Sequence, residues 1–146
     1  MVLNEINNTI INKELKYDDG RYVGQVVNCK KEGRGIYYYN NGDRYEGDYK
    51  NDKREGKGIK YFNNEPFKGD RYEGDYKNDT NEGKGIYYHN NGDIYEGDYK
   101  NGKPEGKGIY YWKNGNREMG DWKDGKEIGK HVILYKNGEV KKSFFF

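Results

Sequence analysis

The chain has 146 residues, enough for one domain. Its 27 Lys and Arg residues are balanced by 25 Asp and Glu residues, and the net charge of +2 argues against the strongly basic surface that is typical of nucleic-acid-binding proteins. With 32% hydrophobic and 36% charged residues, the composition alone would indicate disorder, but 17 tyrosines supply the apolar area that a folded sheet needs.

Residues 1–14 lie outside the pattern that fills the rest of the chain. Leu3, Ile6 and Ile10 follow a helical spacing, so we weigh a short helix that caps the first strand against an extended N-terminal arm. This segment lacks the features of a signal peptide, and no stretch has the apolar length of a membrane span. The single cysteine, Cys29, excludes a disulfide framework. We therefore expect a cytoplasmic protein, free or associated with the cytoskeleton or a membrane.

Residues 15–140 are filled by repeats of one unit, seen most clearly as YEGDYKNGKPEGKGIYY at 95–111. Five copies begin at Tyr22, Tyr45, Tyr72, Tyr95 and Glu118, and Leu15 to Arg21 resembles the second half of a truncated copy. Successive copies start 23, 27, 23 and 23 residues apart, so one of them carries four extra residues, near Glu65–Lys68. A repeat of this length indicates an array of identical small units.

Each unit reads as two antiparallel strands. Tyr95 to Lys100 alternates aromatic or glycine with charged residues, which is the period of a strand. We expect a loop over Asn101 to Glu105, a second strand over Gly108 to Trp112, and a tight Asn-Gly turn over Lys113 to Asn116. The predicted fold is therefore all-β: one elongated antiparallel meander.

The glycines inside the strands predict close approach of aromatic rings, since glycine otherwise weakens a strand. Gly97 lies between Tyr95 and Tyr99 on one face, where the bare position leaves room for a ring. The same role is predicted for Gly35, Gly47, Gly58, Gly74, Gly85, Gly108 and Gly120.

These copies resemble the MORN repeat, whose motif is close to Tyr-Glu-Gly-x-Trp/Tyr-x-Asn-Gly-x-x-x-Gly-x-Gly. The resemblance covers roughly residues 17–140 and implies a single-sheet β-solenoid with an aromatic groove. Two end copies depart from the motif: Glu118 replaces the leading Tyr, His131 replaces the second Gly, and Gln25 to Val27 replace Asp-Tyr-Lys. Terminal units of a solenoid are commonly atypical because they cap it.

The resemblance implies a non-enzymatic scaffold that binds a peptide or helix of a protein partner, because such repeats occur in scaffold and cytoskeletal proteins and as accessory arms of enzymes. The predicted groove is formed by Tyr45, Tyr49, Tyr72, Tyr76, Tyr95, Tyr99 and Trp122. An alternative is that these rings only cover the glycines and stabilise the sheet. Phe67, in the insertion, either folds back on its own repeat or contacts a partner.

A phosphoinositide headgroup is the alternative ligand, because lysines recur in each repeat, although Glu and Asp match them in number. Single-stranded RNA would suit the aromatic residues but not the net charge, so no nucleic acid is expected.

No catalytic, cofactor or metal site is predicted. His89, His131 and Cys29 occupy unrelated repeat positions and lack the spacing of a nucleophile–base pair or of metal ligands. Glu46, Glu73 and Glu96 recur once per repeat, two strands or about 10 Å apart, as a structural column would. We expect Lys57, Lys84 and Lys107 on the intervening strands to pair with carboxylates across the sheet.

Residues 141–146 read as a terminal edge strand or tail. Counting one repeat on from Glu118 places Ser143 at the glycine position and Phe145 at the second aromatic position. Because an unpaired strand edge invites pairing with another chain, Phe144, Phe145 and Phe146 form a predicted assembly edge for a homodimer.

Overall fold

The computed structural model describes residues 9–146, which form one open sheet of twelve antiparallel strands in sequential order. The strands are β1 (Ile11–Tyr17), β2 (Gly20–Val27), β3 (Lys30–Tyr39), β4 (Arg44–Lys50), β5 (Lys53–Tyr61), β6 (Arg71–Lys77), β7 (Thr80–Tyr88), β8 (Ile94–Lys100), β9 (Lys103–Tyr111), β10 (Arg117–Lys123), β11 (Lys126–Leu134) and β12 (Val140–Phe145). The all-β meander is confirmed, and the five repeat starts fall in β2, β4, β6, β8 and β10.

The helix weighed for residues 1–14 is wrong for Ile11–Glu14. These residues belong to β1, which pairs with β2 from Ile11 opposite Val26 to Tyr17 opposite Gly20. Backbone pairing with β2 satisfies the N–H and C=O groups that a helix would have satisfied internally. Thr9 and Ile10 have no regular secondary structure, and the rest of that prediction, residues 1–8, lies outside the described residues.

The loop expected over Asn101 to Glu105 is only a two-residue turn. Asn101 and Gly102 have φ values of 50° and 78°, and β9 begins at Lys103. Positive φ at both positions is the requirement of the type I′ turn, which matches the twist of the flanking strands. Every repeat has such a turn, with Asn28-Cys29, Asn51-Asp52, Asn78-Asp79 and Asp124-Gly125 in the same place.

A bulge follows this turn in each second strand. Between the pairs Gly97↔Gly108 and Tyr99↔Pro104 the register shifts, and Gly106 takes a φ of 98°. The Asp98 carboxylate accepts the backbone N–H of Lys107 at 3.1 Å, which satisfies a donor that the bulge leaves out of the ladder. Asp48 and Asp75 do the same for Lys57 and Lys84.

The insertion lies between β5 and β6 and is a compact loop. Phe62 donates its N–H to the Asp70 carbonyl at 3.0 Å, and Gly69 donates to the Phe62 carbonyl at 2.9 Å. The Phe67 ring lies 6.1 Å from the Phe62 ring, centre to centre, yet 53% of Phe67 stays exposed. Phe67 thus folds back on its own repeat and still presents a face to solvent.

The sheet has two unlike faces. One, the tyrosine face, carries Tyr45, Gly47 and Tyr49 of β4 and their equivalents, and it contains the buried cluster. The other, the charged face, carries Arg44, Glu46 and their equivalents. A single sheet has no second layer, so the aromatic rings themselves form the core.

Candidate functional site

The predicted groove residues form the core of the tyrosine face. All seven of them are between 0% and 6% exposed. Their rings meet edge to face along the sheet; the Tyr45 and Tyr76 centres, for example, are 5.0 Å apart, as are those of Tyr72 and Tyr99. Edge-to-face pairs are a favoured geometry and add stability beyond area burial. These rings therefore hold the sheet together, and a direct contact between them and a partner stays a prediction.

Each leading tyrosine lies over a pair of glycines, as the sequence predicted. A Cβ at Gly108 would lie 2.7 Å from Cε2 of Tyr95, and one at Gly97 would lie 2.6 Å from the Tyr95 hydroxyl. Because no side chain fits in that space, the glycines are needed for the ring to reach the backbone. The hydroxyl of Tyr72 then donates to the Asp75 carbonyl at 3.1 Å.

Burial keeps these phenols neutral. Burial, with smaller contributions from Tyr17, Asp52 and Glu32, raises the pKa of Tyr22 to about 12. It also raises the pKa values of Tyr45, Tyr72, Tyr76, Tyr95 and Tyr99 well above their usual range. The core consists of neutral hydrogen-bond donors and apolar ring surface, with no phenolate available as a base.

A second line of rings on the tyrosine face remains partly exposed. We name it the aromatic strip; it consists of Phe62, Phe67, Tyr87, His89, Tyr110 and Trp112. Neighbouring rings are 4.7 to 6.1 Å apart, centre to centre, from Phe67 through to Trp112. The hydroxyls of Tyr87 and Tyr110 donate to Asp70 at 2.6 Å and to Asp93 at 3.0 Å, so the rings are fixed in place.

A groove of about 510 Å³ lies between the aromatic strip, except Trp112, and the turn-side residues Asn81, Pro104 and Glu127. Three of the predicted groove residues line it as well: Tyr95, Tyr99 and Trp122. Its size is within the range of ligand sites, and aromatic side chains and one proline line most of it. The strip was missed at the sequence level. Its signal was the aromatic residue at the end of the second strand in each copy, such as Trp112.

The other end of the tyrosine face is cationic. The Lys31 ammonium lies 4.9 Å from the centres of the Tyr17 and Tyr37 rings, and Arg54 lies 5.1 Å from the Tyr76 ring centre. Burial lowers the pKa of Lys31, although Asp52 and other charges act in the opposite direction. Aromatic rings attract cations through their quadrupoles. Cations therefore cover the rings at this end of the face. In the aromatic strip, the Lys60 ammonium lies 4.7 Å from the centre of the Phe62 ring.

Two rows of carboxylates tie each repeat to the next, and neither row was predicted. Asp93 accepts the backbone N–H of Lys113 at 2.8 Å, twenty residues ahead. Glu82 accepts the N–H of Asn101 at 3.1 Å at the opposite end of the strands. The same contacts join Asp43 to Asn63, Asp70 to Asn90, Glu32 to Asn51, Glu55 to Asn78 and Glu105 to Asp124. Turns on both sides are thereby stacked in register.

On the charged face the lysines pair with aspartates and not with the glutamate column. Lys57 pairs with Asp75 and Lys84 with Asp98, while Lys107 lies 3.1 Å from Asp121. The register puts each Lys directly opposite the Asp of the next strand, which the spacing alone did not resolve. Glu46 and Glu73 instead bind Arg44 and Arg71 of their own strands, at 3.0 and 2.8 Å.

In the last full copy, a histidine ring takes the place of the tyrosine ring that lies over the glycines in the other copies. Two substitutions produce this change together: Glu118 replaces the leading Tyr, and His131 replaces the second Gly. His131 is fully buried and Glu118 is 6% exposed, with His131 Nδ1 at 2.8 Å from Glu118 Oε1. The Nε2 of His131 lies 2.9 Å from the Asp121 carbonyl, where other copies place a tyrosine hydroxyl. The imidazole thus occupies the space of the missing tyrosine ring over Gly120.

The C-terminal residues form an edge strand. β12 pairs with β11 from Leu134 opposite Val140 to Gly129 opposite Phe145, and its other side has no neighbouring strand among residues 9–146. The Phe145 ring packs 4.9 Å from His131, centre to centre, whereas Phe144 and Phe146 are exposed. The three phenylalanines are therefore divided between the core and the surface.

Within the described residues, no group of three or more His, Cys, Asp and Glu side chains is placed to hold a metal ion. Cys29 is exposed in its turn. In the same part of the chain, no helix has the length and apolar character to cross a membrane.

The MORN repeat model matches the sequence four times, at residues 22–44, 45–65, 72–94 and 95–117, which together exceed half of the chain. The chain belongs to the MORN-repeat family. MORN repeats serve in binding and scaffold roles and are generally non-catalytic. No curated protein sequence matches this MORN protein.

Among solved structures, it is similar to the SAS-4 (dCPAP) TCP domain of Drosophila melanogaster, which was solved in complex with a proline-rich motif of Ana2 (dSTIL). The TM-score is 0.52 at 14% identity, over 92% of this chain and 90% of the other. At that identity the similarity establishes the shared fold.

Proposed function

We propose that this MORN protein is a non-enzymatic interaction module that binds an extended peptide of a protein partner along the aromatic strip. The observation that carries the proposal is the continuous run of partly exposed rings from Phe67 to Trp112 beside a groove. Tyrosines packed beneath and carboxylates bound to the hydroxyls hold these rings rigid. A rigid apolar surface binds with little loss of side-chain entropy.

A proline-rich segment fits this surface best. The hydroxyls of Tyr87 and Tyr110 are already bound to carboxylates, so the strip offers ring faces and few free donors. Proline rings pack on aromatic faces, and a polyproline II segment is extended before it binds. The similar SAS-4 domain supports this choice, because that protein was solved with a proline-rich motif.

The test is calorimetric titration with a panel of synthetic proline-rich peptides. Removing the Trp112 or Phe67 ring, as Trp112→Ala or Phe67→Ala, should weaken binding roughly tenfold or more, since large aromatic anchors dominate such interfaces. Tyr111→Ala, next to Trp112 but on the charged face, is the matched control and should bind like the wild type. Unchanged affinity in both strip variants would exclude the strip as the binding site.

The buried tyrosines are unsuitable for this test. Tyr76 and Tyr99 are 3% and 6% exposed, and truncating a buried aromatic ring costs about 3–5 kcal/mol of stability. Tyr76→Ala and Tyr99→Ala should therefore be strongly destabilised, so a loss of binding in these variants would not identify the surface that binds the partner.

The alternative ligand, a phosphoinositide headgroup, finds less support, because the ammonium groups of Lys57, Lys84 and Lys107 are already paired with aspartates. Liposome flotation at two salt concentrations separates the two functions. Strong, salt-sensitive binding to phosphoinositide vesicles, together with no binding to any peptide, would contradict the peptide proposal and favour lipid recognition.

We also propose that two copies associate through the C-terminal edge. Residues of β12 present unpaired backbone groups on one side, and Phe144 and Phe146 are exposed beside them. A twofold pairing of these edges would satisfy the backbone and bury both rings. Light scattering should give a dimer for the intact chain and a monomer for one ending at Lys142. Two monomers at tens of micromolar, or two dimers, would contradict this proposal.

A further inference from the structure

Four arginines on the charged face occupy the same repeat position, namely Arg21, Arg44, Arg71 and Arg117. Each of the first three covers a tyrosine of the following strand. The guanidinium carbons of Arg21, Arg44 and Arg71 lie 4.2, 4.4 and 4.1 Å from the ring centres of Tyr38, Tyr61 and Tyr88, respectively. Arg44 and Arg71 also bind Glu46 and Glu73. In two copies, therefore, a guanidinium is held between a tyrosine ring and a carboxylate.

The next copy keeps the ring and the carboxylate but lacks the guanidinium. Ile94 stands at the arginine position, in register between Tyr88 and Tyr111. Within residues 9–146, no cationic group lies within 4.0 Å of the Glu96 carboxylate, and none covers the Tyr111 ring. Glu96 is accordingly exposed, whereas Glu46 and Glu73 are partly buried.

We propose that Glu96 and Tyr111 form a receptor site for an arginine side chain of a partner protein. The arginine would take the place that Arg44 and Arg71 fill in their own copies, so the chain itself displays the geometry of the bound state. This site is on the face opposite the aromatic strip and does not rest on the peptide-binding proposal.

The surroundings favour a single arginine over a densely basic segment. Glu96 lines a depression of about 880 Å³ together with Ile86, Ile109 and Met119, which can cover the methylene groups of the arginine. Lys57, Lys84, Lys107 and Lys130 also line this depression; the first three are paired with aspartates, and all four would repel further cations. Arg117 lies opposite Tyr111 on the next strand, is exposed, and would repel a densely basic segment. A guanidinium is preferred over an ammonium because it stacks on the ring while binding the carboxylate.

The test uses nuclear magnetic resonance of the full chain titrated with N-acetyl-arginine amide, and with the lysine equivalent as a probe of charge alone. Arginine should shift the side-chain signals of Glu96 and Tyr111 in a saturable way, and lysine should shift them less. The equivalent signals of Glu73 and Tyr88 should not move, because Arg71 already fills that site.

One variant places an arginine in the site, and another removes the arginine from the equivalent site of the preceding repeat. Ile94→Arg fills the site from within the chain and should reduce apparent affinity at Glu96 by about fivefold or more, whereas the uncharged control Ile94→Gln should not. Arg71→Ile opens the same vacancy one repeat earlier and should add saturable shifts at Glu73 and Tyr88. Trp112→Ala, on the other face, should leave all these shifts unchanged, so this proposal and the peptide proposal fail independently.

Three results would overturn the proposal. One is equal response to arginine and lysine, which would mean that only charge is sensed. Another is an unchanged response in Ile94→Arg. The third is a concentration-dependent shift of Glu96 in the protein alone that disappears in Arg117→Gln, because a second copy would then supply the guanidinium.

Discussion

A single methyl group added to a glycine beneath a leading tyrosine would overpack the tyrosine face. A Cβ at Gly85 would lie 2.6 Å from Cε2 of Tyr72, and that ring is fully buried. Gly85→Ala should therefore lower the free energy of unfolding by about 1–3 kcal/mol, the usual cost of overpacking. Urea denaturation measures the change directly.

The control for this substitution is another glycine with a different role. Gly102 has a φ of 78° in a turn where other copies carry Asp52 and Asp79 at φ values of 68° and 67°. Gly102→Asp should consequently have little effect. If Gly85→Ala is no less stable than Gly102→Asp, the leading tyrosine does not lie over the glycine pair.

At the scale of the element, the aspartates of β4, β6 and β8 hold the bulges of the following strands in place. The Lys84 ammonium, outweighing the opposing effect of burial, and the Lys107 N–H hold the pKa of Asp98 below its usual range. A lowered pKa in the folded state gives stability that is complete above the ordinary pKa of about 4 and is lost as the pH falls through the lowered value. Asp98→Asn should therefore be less stable than wild type at pH 7 by about 1 kcal/mol.

The advantage of the wild type over Asp98→Asn should shrink when both are measured by urea unfolding near pH 3. Lys100→Ala, an exposed change in the same strand, should show no such dependence. A difference between wild type and Asp98→Asn that is the same at both pH values would mean that the carboxylate charge does not stabilise the bulge.

The sequence predicted contacts within one repeat better than contacts between repeats. Period-two alternation placed Tyr95, Gly97 and Tyr99 on one face, and the bare glycines predicted rings above them, because both follow from one strand and its neighbour. Asp93 binding the N–H of Lys113 was not predicted, since that contact requires the register of the intervening strands. The depth of ring burial was missed for the same reason.

Two features that we did not predict nevertheless left signals in the sequence. Glu118 and His131 depart from the motif in the same copy: the first position loses an aromatic ring and the second gains one. Such a pair of departures indicates that the second substitution compensates for the first. Ile94 breaks a column of arginines that is otherwise visible in Arg21, Arg44, Arg71 and Arg117. Residues of β1 carried weaker evidence, because Ile11–Glu14 lack both the tyrosine and the glycine of the motif.

For the whole molecule, the neutral tyrosine core predicts a sharp loss of stability in alkali. Burial first, then the hydrogen bond to Asp93, raises the pKa of Tyr110 to about 12, and burial raises that of Tyr22 to about 12 as well. Between pH 10 and pH 12 the unfolded chain loses phenolic protons that the folded protein keeps, so stability falls by about 1.4 kcal/mol per pH unit for each such tyrosine.

Tyrosinate absorbance and circular dichroism, followed together as the pH rises, should change in one cooperative transition. Tyr110→Phe removes one of the titrating groups and should make the decline with pH shallower. Ionisation of the buried tyrosines without loss of the strand signal would contradict the assignment of their rings to the core.

The sequential order of the strands also determines how the protein responds to tension. β1 and β12 lie at opposite margins of the sheet, and the backbone of each strand pairs only with that of its predecessor and its successor. A load applied between the two margins acts along the interstrand hydrogen bonds, so that it opens one ladder at a time instead of shearing many together. Each opened ladder releases the short strand beside it. The chain would therefore extend in a series of small, nearly equal steps. It would act as a compliant elastic linker between partners bound at its two ends.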